Sequence, residues 1–242
     1  MIDWGSMIRY GALIVFAGFL SDWLSIIFGW KKFRPYAKVL GLSLLILWTL
    51  LVFKLQPGLL GFELILALIF SLLGDFLLLF PDKWFKWGLG AFLLGHLTYL
   101  KLFYDLIGLG FAEGLIVRIP VWTWLGIGGI IAAALIAFNR VIIRKMSEPR
   151  PLLLFQVALY FYAVCLSAMM AFGCLTAGLF AAEGGWIWAL AAGGPLFFIS
   201  DFVLAYNRFV RPFKPANIVI MVTYHLAQFF LAVGFIALIS LF

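Results

Sequence analysis

The sequence predicts an all-α, polytopic membrane protein of eight transmembrane helices, arranged as two parallel four-helix halves. Three observations carry this. Of 242 residues, 66% are hydrophobic and 11% charged, with a mean hydropathy of +1.17, whereas a soluble domain is about a quarter charged. The apolar residues gather into runs close to the ~20 residues that a bilayer crossing takes. Two of those runs, more than a hundred residues apart, carry nearly the same motif. Eight crossings use almost the whole length, so the chain reads as one integral-membrane domain over 1–242, with halves near 1–110 and 115–242.

The runs follow one another between Pro, Gly and charge clusters, which interrupt a helix or cannot enter lipid. The first, 8–29, closes at Gly29 before Lys31, Lys32 and Arg34. The second, 37–55, stops before Pro57-Gly58, and the third, 59–80, before Pro81. The fourth covers 88–107, and the fifth, 119–138, ends at Arg140. The sixth, 152–174, follows Pro149-Arg150-Pro151; the seventh, 187–206, follows Glu183-Gly-Gly; the eighth, 216–241, follows Pro215. The opening Met-Ile-Asp-Trp lacks the basic n-region and cleavage site of a secretory signal, so the first run is expected to stay as a span. Cys165 and Cys174 lie in the sixth run, too far apart on one helix to pair, and read as packing residues.

Orientation follows from the cations. Thirteen of the seventeen Lys and Arg fall in the connections after runs one, three, five and seven or at their edges, leaving Arg9, Lys54, Lys101 and Arg118 for the other side. The positive-inside rule places those odd-numbered connections in the cytoplasm and both termini outside. The net charge of +7 is thus a topology signal and does not call for nucleic acid. The expected location is a bacterial inner membrane, with the bilayer itself as partner.

Within this lipid-facing composition sit a few ionisable residues. Phe70-Ser-Leu-Leu-Gly-Asp75-Phe-Leu-Leu and Phe197-Phe-Ile-Ser-Asp201-Phe-Val-Leu place an acid near the end of helices three and seven, each followed by a histidine in the next run, His96 and His225. An acid at a bilayer centre costs ~2.5–3.5 kcal/mol on insertion scales, so such a set marks function. Counting at ~1.5 Å per residue puts all four roughly 8–12 Å from the cytoplasmic edge. Tyr99 lies one turn from His96; Tyr224 and Gln228, four apart, share a face of the last helix, as do His225 and Gln228, three apart. Asp22, in the first run, is a secondary member of the set, and Glu63 is expected at the outer interface.

Two acids and two histidines allow three classes of function. One is acid–base hydrolysis of a lipid, since low dielectric and neighbouring carboxyls separate an acid from a base. A second is a metal-dependent lipid hydrolase using Asp75, His96, Asp201 and His225, although no H-x-x-x-H or H-E-x-x-H spacing is present. The third is a proton-coupled carrier built on parallel repeats. No G-x-S-x-G elbow supports a serine hydrolase.

Four motifs in order, Leu73-Gly74-Asp75, Gly95-His96-Leu-Thr-Tyr99, Phe198-Ile-Ser200-Asp201 with Asn207-Arg208-Phe209, and Tyr224-His225-Leu-Ala227-Gln228, resemble the YhhN-type transmembrane proteins, the lysoplasmalogenases. The chain departs from the family pattern at Lys38, which is followed by Val39 where a proline is expected, and at His225, where another aromatic is usual. The resemblance implies hydrolysis of a lysoplasmalogen vinyl ether without cofactor or metal. Its substrate is a lysophospholipid, cleaved to a fatty aldehyde and a glycerophospho-base. On that basis Asp75 and Asp201 are expected to form the acid–base pair and His96 to orient or activate water. Tyr99, Asn207, Tyr224 and Gln228 would contact substrate, Arg208, Lys38 or Arg211 would meet its phosphate, and His225 and Asp22 would be accessory.

Overall fold

The computed structural model describes residues 4–80, 82–146 and 152–242, with the side chains of 4–9 and 82 outside the description. The opening Met1–Asp3 and the loop cation Arg150 therefore lie outside the described residues, as does the Arg9 side chain. The eight helices are α1 (Trp4–Ile27), α2 (Arg34–Val52), α3 (Gly58–Leu77), α4 (Phe85–Ala112), α5 (Val121–Val141), α6 (Leu153–Leu179), α7 (Ala189–Phe209) and α8 (Ala216–Ile239). Each is long and apolar enough to cross a membrane, and no strand occurs among the described residues.

Helix ends depart from the hydropathy runs for local reasons. Gly29, at φ +68°, ends α1 in a left-handed step, with Trp30 N–H on the Ser25 carbonyl at 2.8 Å and Gly29 N–H on that of Ile26 at 3.3 Å. These are the paired 6→1 and 5→2 bonds of a Schellman cap. The same pair ends α2, where Lys54 and Leu55 take the left-handed conformation in place of glycine. α4 continues five residues past the run ending at 107, because the stretch to Ala112 holds no proline or charge and glycine costs only ~1 kcal/mol within a helix. α3 stops at Leu77, three residues short of its run, in a tightened last turn. A 3-10 turn at Gly185–Trp188 leads into α7, which continues through Phe209. Pro195 interrupts the α7 ladder, and the carbonyl it leaves without a donor, that of Ala191, faces the Cys174 thiol at 4.0 Å.

The described residues form two compact units, divided between Leu102 and Phe103 within α4. In the first, α1 and α2 run antiparallel and nearly touch at Gly18 and Gly41, where a methyl on Gly18 would lie 3.1 Å from the Gly41 Cα. In the second, Gly194 lies against the backbone of Met170 and Met169, and Gly193 and Gly234 admit Leu231 and Leu190 of facing helices. Small residues permit this close approach, which replaces the hydrophobic driving force that lipid does not supply. Exposed tryptophans gather at helix ends: Trp30, Trp84 and Trp87 toward the basic connections, Trp122, Trp124, Trp186 and Trp188 toward the others. Such belts mark the two membrane–water interfaces.

Candidate active site

The first unit holds a buried charge cluster. α1 and α2 cross at Gly18/Gly41, so moving one turn along α1 reaches Asp22 and moving the corresponding way along α2 reaches Lys38. Lys38 is 7% exposed and extends to α3, placing its ammonium 3.2 Å from Asp75 Oδ1 and 3.3 Å from the Asp75 carbonyl. That carbonyl belongs to the last turn of α3. Leu78 N–H bonds to Gly74 and Leu79 N–H to Phe76, leaving the Asp75 carbonyl to Lys38. A cation at a helix C-terminus also meets the negative end of its dipole. Asp75 is 2% exposed, and Asp22 is fully buried. Neither Asp22 carboxylate oxygen has a partner at hydrogen-bond distance and angle; the groups acting on it are Arg34, Lys38, Asp75 and the nearby Ser25 hydroxyl.

α4 packs antiparallel on α3 through glycine. Gly74 lies against the Phe92 ring, and Gly95 against Ser71 and the Ala67 carbonyl. Phe92 is thus level with Asp75, and His96 sits about one turn deeper. The His96 ring turns back along α4, its Nδ1 bonded to the Phe92 carbonyl. A carbonyl only accepts, so Nδ1 carries the hydrogen and Nε2 is the basic nitrogen of the neutral ring. Tyr99 is fully buried a further turn on. Glu63, expected at the interface, is instead buried and ion-paired with Lys101 across α3 and α4, which neutralises it in the half of the unit away from Asp75.

The second unit has a cluster of its own. Asp201 of α7, 8% exposed, accepts a hydrogen bond from the Tyr162 hydroxyl of α6. Beside it, Ser200 donates to the Ile220 carbonyl of α8 at 3.1 Å. His225 and Tyr224 follow about one turn deeper, both buried, and Tyr224 meets Phe197 edge-on with ring centroids 5.5 Å apart. Gln228 is fully buried on the same helix. Each unit therefore repeats one local pattern, an acid on one helix and, about a turn further in on the returning helix, a histidine. The acids differ in position along their own helices: Asp75 stands two residues before the end of α3, Asp201 eight before the end of α7.

Lys38, expected at a substrate phosphate, is committed to Asp75. Asn207 accepts from the Phe213 N–H at 3.2 Å and so fastens the α7–α8 connection. Arg208 is exposed. A groove of about 670 Å³ opens between α5, α7 and that connection, lined by Val141, Phe202, Tyr206, Phe213, Arg211 and Lys214. Two cations over an aromatic wall suit the phosphate of an amphiphile. Within neither unit do three His, Cys, Asp or Glu side chains of the described residues gather as metal ligands. Tyr162 is the residue that sequence reasoning passed over; a hydroxyl inside an apolar run was its only signal. Lys38 had a clearer one, lying inside the second run and not in the loop before it.

The sequence model of the YhhN family matches residues 33–235, which includes every motif above. The chain is 31% identical over 162 residues to the lysoplasmalogenase TMEM86B of Sus scrofa, and 30% identical over 162 residues to that of Homo sapiens. Each match covers 67% of this chain and 58% of the relative, so the chain aligns with little more than half of those proteins. No solved structure matches it.

Proposed function

The chain belongs to the YhhN family, and from that premise we propose that it is a membrane-embedded lysoplasmalogenase, hydrolysing the vinyl ether of a 1-alkenyl lysophospholipid. The observation that carries the proposal is the buried Lys38–Asp75 pair beside Asp22. A vinyl ether opens when its β-carbon is protonated; the oxocarbenium ion that results is attacked by water, and the hemiacetal collapses to aldehyde and alcohol. Such chemistry needs a carboxylic acid and a carboxylate in a site shielded from bulk water. Asp75, held as a carboxylate by the Lys38 ammonium, faces the cation and takes the proton of the attacking water.

His96, with its hydrogen fixed on Nδ1, offers Nε2 to the same water, and Tyr99 lines the depth behind it. Asp201 with Tyr162, and Tyr224 with Gln228, belong to the polar interior of the second unit, where Asp201 already accepts a hydrogen bond. Arg211 and Lys214, which line the groove of the second unit, are cations suited to a phosphate.

The test is to incubate the purified protein with matched alkenyl, acyl and alkyl lysolipids and to measure aldehyde and fatty acid. Aldehyde is expected from the alkenyl lipid alone, and Asp75→Asn is expected to lower its release by about 10²-fold or more, the scale of one acid–base group. Fatty acid from the acyl lipid, or full activity in Asp75→Asn, sinks the proposal. So does accumulation of intact lipid in sealed vesicles without product.

A further inference from the structure

We infer that Asp22 is the general acid of this site, the carboxyl that hands its proton to the vinyl ether carbon while Asp75 acts as the base. The inference rests on the hydrolase proposed above and names a residue outside the acid pair expected from sequence. Four observations carry it. Asp22 is fully buried, and neither of its oxygens has a hydrogen-bond partner. Ser25, the nearby hydroxyl of its own helix, gives its hydrogen to the Asp22 carbonyl at 2.7 Å. Of the two cations acting on Asp22, Lys38 is spent on Asp75, bonding both its carboxylate and its carbonyl, and Arg34 makes no hydrogen bond to either Asp22 oxygen. The Gly18/Gly41 crossing packs α1 on α2 one turn from Asp22 and Lys38, and Asp75 acts electrostatically on Asp22, so the two carboxyls belong to one cluster in one unit.

The division of labour follows from desolvation. An ionised carboxylate without a donor is among the costliest groups to bury, and a carboxylic acid is far cheaper. Of the two acids, Asp75 has the ammonium as a direct partner and is the carboxylate; Asp22 makes no direct ion pair and keeps its hydrogen. Asp201 is differently placed, since it already accepts from Tyr162.

The Asp22 O–H bond breaks and its proton adds to the β-carbon of the vinyl ether, whose π electrons form the new C–H bond, leaving an oxocarbenium ion beside the Asp22 carboxylate. Water adds to the cationic carbon and gives a proton to Asp75. The hemiacetal then loses its hydroxyl proton to the Asp22 carboxylate as the carbon–oxygen bond to glycerol breaks, and the departing alkoxide takes the proton held by Asp75. Alkenyl ether and one water become aldehyde and glycerol hydroxyl, and both acids return to their starting states.

The experiment compares Asp22→Asn, Asp22→Glu, Asp75→Asn and Asp201→Asn of the full chain in aldehyde release, with kcat and KM measured separately. Asp22→Asn is expected to lose about 10²–10⁴-fold in kcat with little change in KM, the scale of a general acid, and Asp22→Glu to recover part of it. Because a folding defect would mimic this loss, dicyclohexylcarbodiimide, which attacks protonated carboxyls in lipid, is applied to the unmodified protein and the label located by mass spectrometry. An adduct on Asp22 that a non-cleavable alkyl lysolipid prevents is the expected result. An Asp22→Asn variant that keeps at least half of kcat, or an adduct confined to Asp201, overturns the inference. If the unmodified protein itself releases no aldehyde, the hydrolase proposal fails first, and the two failures are told apart.

Discussion

With its ammonium 3.2 Å from the Asp75 carboxylate and 3.3 Å from the Asp75 carbonyl, Lys38 satisfies two acceptors that lipid would leave bare. Removing one partner of a buried pair strands the other, at a cost of about 3–5 kcal/mol, whereas removing both is often close to neutral. Lys38→Met is therefore expected to lower the thermal midpoint in detergent substantially, and the double variant Lys38→Met/Asp75→Asn to regain most of the loss. A headgroup role for Lys38 would give a different result, a raised KM with unchanged stability. Asp75, His96 and Asp201 stood out in the sequence because an ionisable residue in an apolar run is conspicuous on its own. Their partners did not, since the Lys38–Asp75 and Tyr162–Asp201 contacts join residues 37 and 39 positions apart that only helix packing brings together.

Helix packing in both units turns on glycine, and the contacts say which glycines bear it. A methyl on Gly194 would meet the Met170 Cα at 2.8 Å and the Met169 carbonyl at 2.9 Å, both backbone atoms that cannot swing aside. Gly194→Ala is expected to destabilise the second unit by about 1–3 kcal/mol through overpacking. Gly90 of α4 has nothing within 4 Å, so Gly90→Ala should be neutral or stabilising by up to ~1 kcal/mol through helix propensity. Thermal unfolding of the two purified variants side by side checks this; equal losses would mean that glycine acts here through flexibility and not through close approach. All eight spans were legible because a bilayer demands long apolar runs whatever the tertiary contacts. Their ends were less so: α4 and α6 each run five residues past their hydropathy runs, because nothing in Gly108–Ala112 or Leu175–Leu179 breaks a helix. The glycines themselves could be counted in the sequence, but which of them face a neighbour depends on helix rotation, and an all-round apolar helix hides that.

For the molecule as a whole, charge asymmetry makes the sharpest forecast. Spans alternate in direction, so the thirteen Lys and Arg at one set of connections should share a side, with Lys54 and Arg118 on the other. We propose the cytoplasm for the larger set, because cytoplasmic connections retain Lys and Arg. A background lacking reactive thiols is available through Cys165→Ser and Cys174→Ser, the latter keeping a hydroxyl donor for the Ala191 carbonyl that Pro195 leaves open. In that background, single cysteines at Lys32 and Lys214 should resist a membrane-impermeant maleimide on intact cells and react once the membrane is opened. Cysteines at Lys54 and at Val117, which is 89% exposed, should react from outside. Labelling of Lys32→Cys on intact cells would invert the protein in the membrane. Because Asp75 lies two residues from the end of α3 that leads to Lys83 and Lys86, the inversion would carry the Lys38–Asp75 pair to the outer leaflet, and with it the leaflet from which a lysolipid enters.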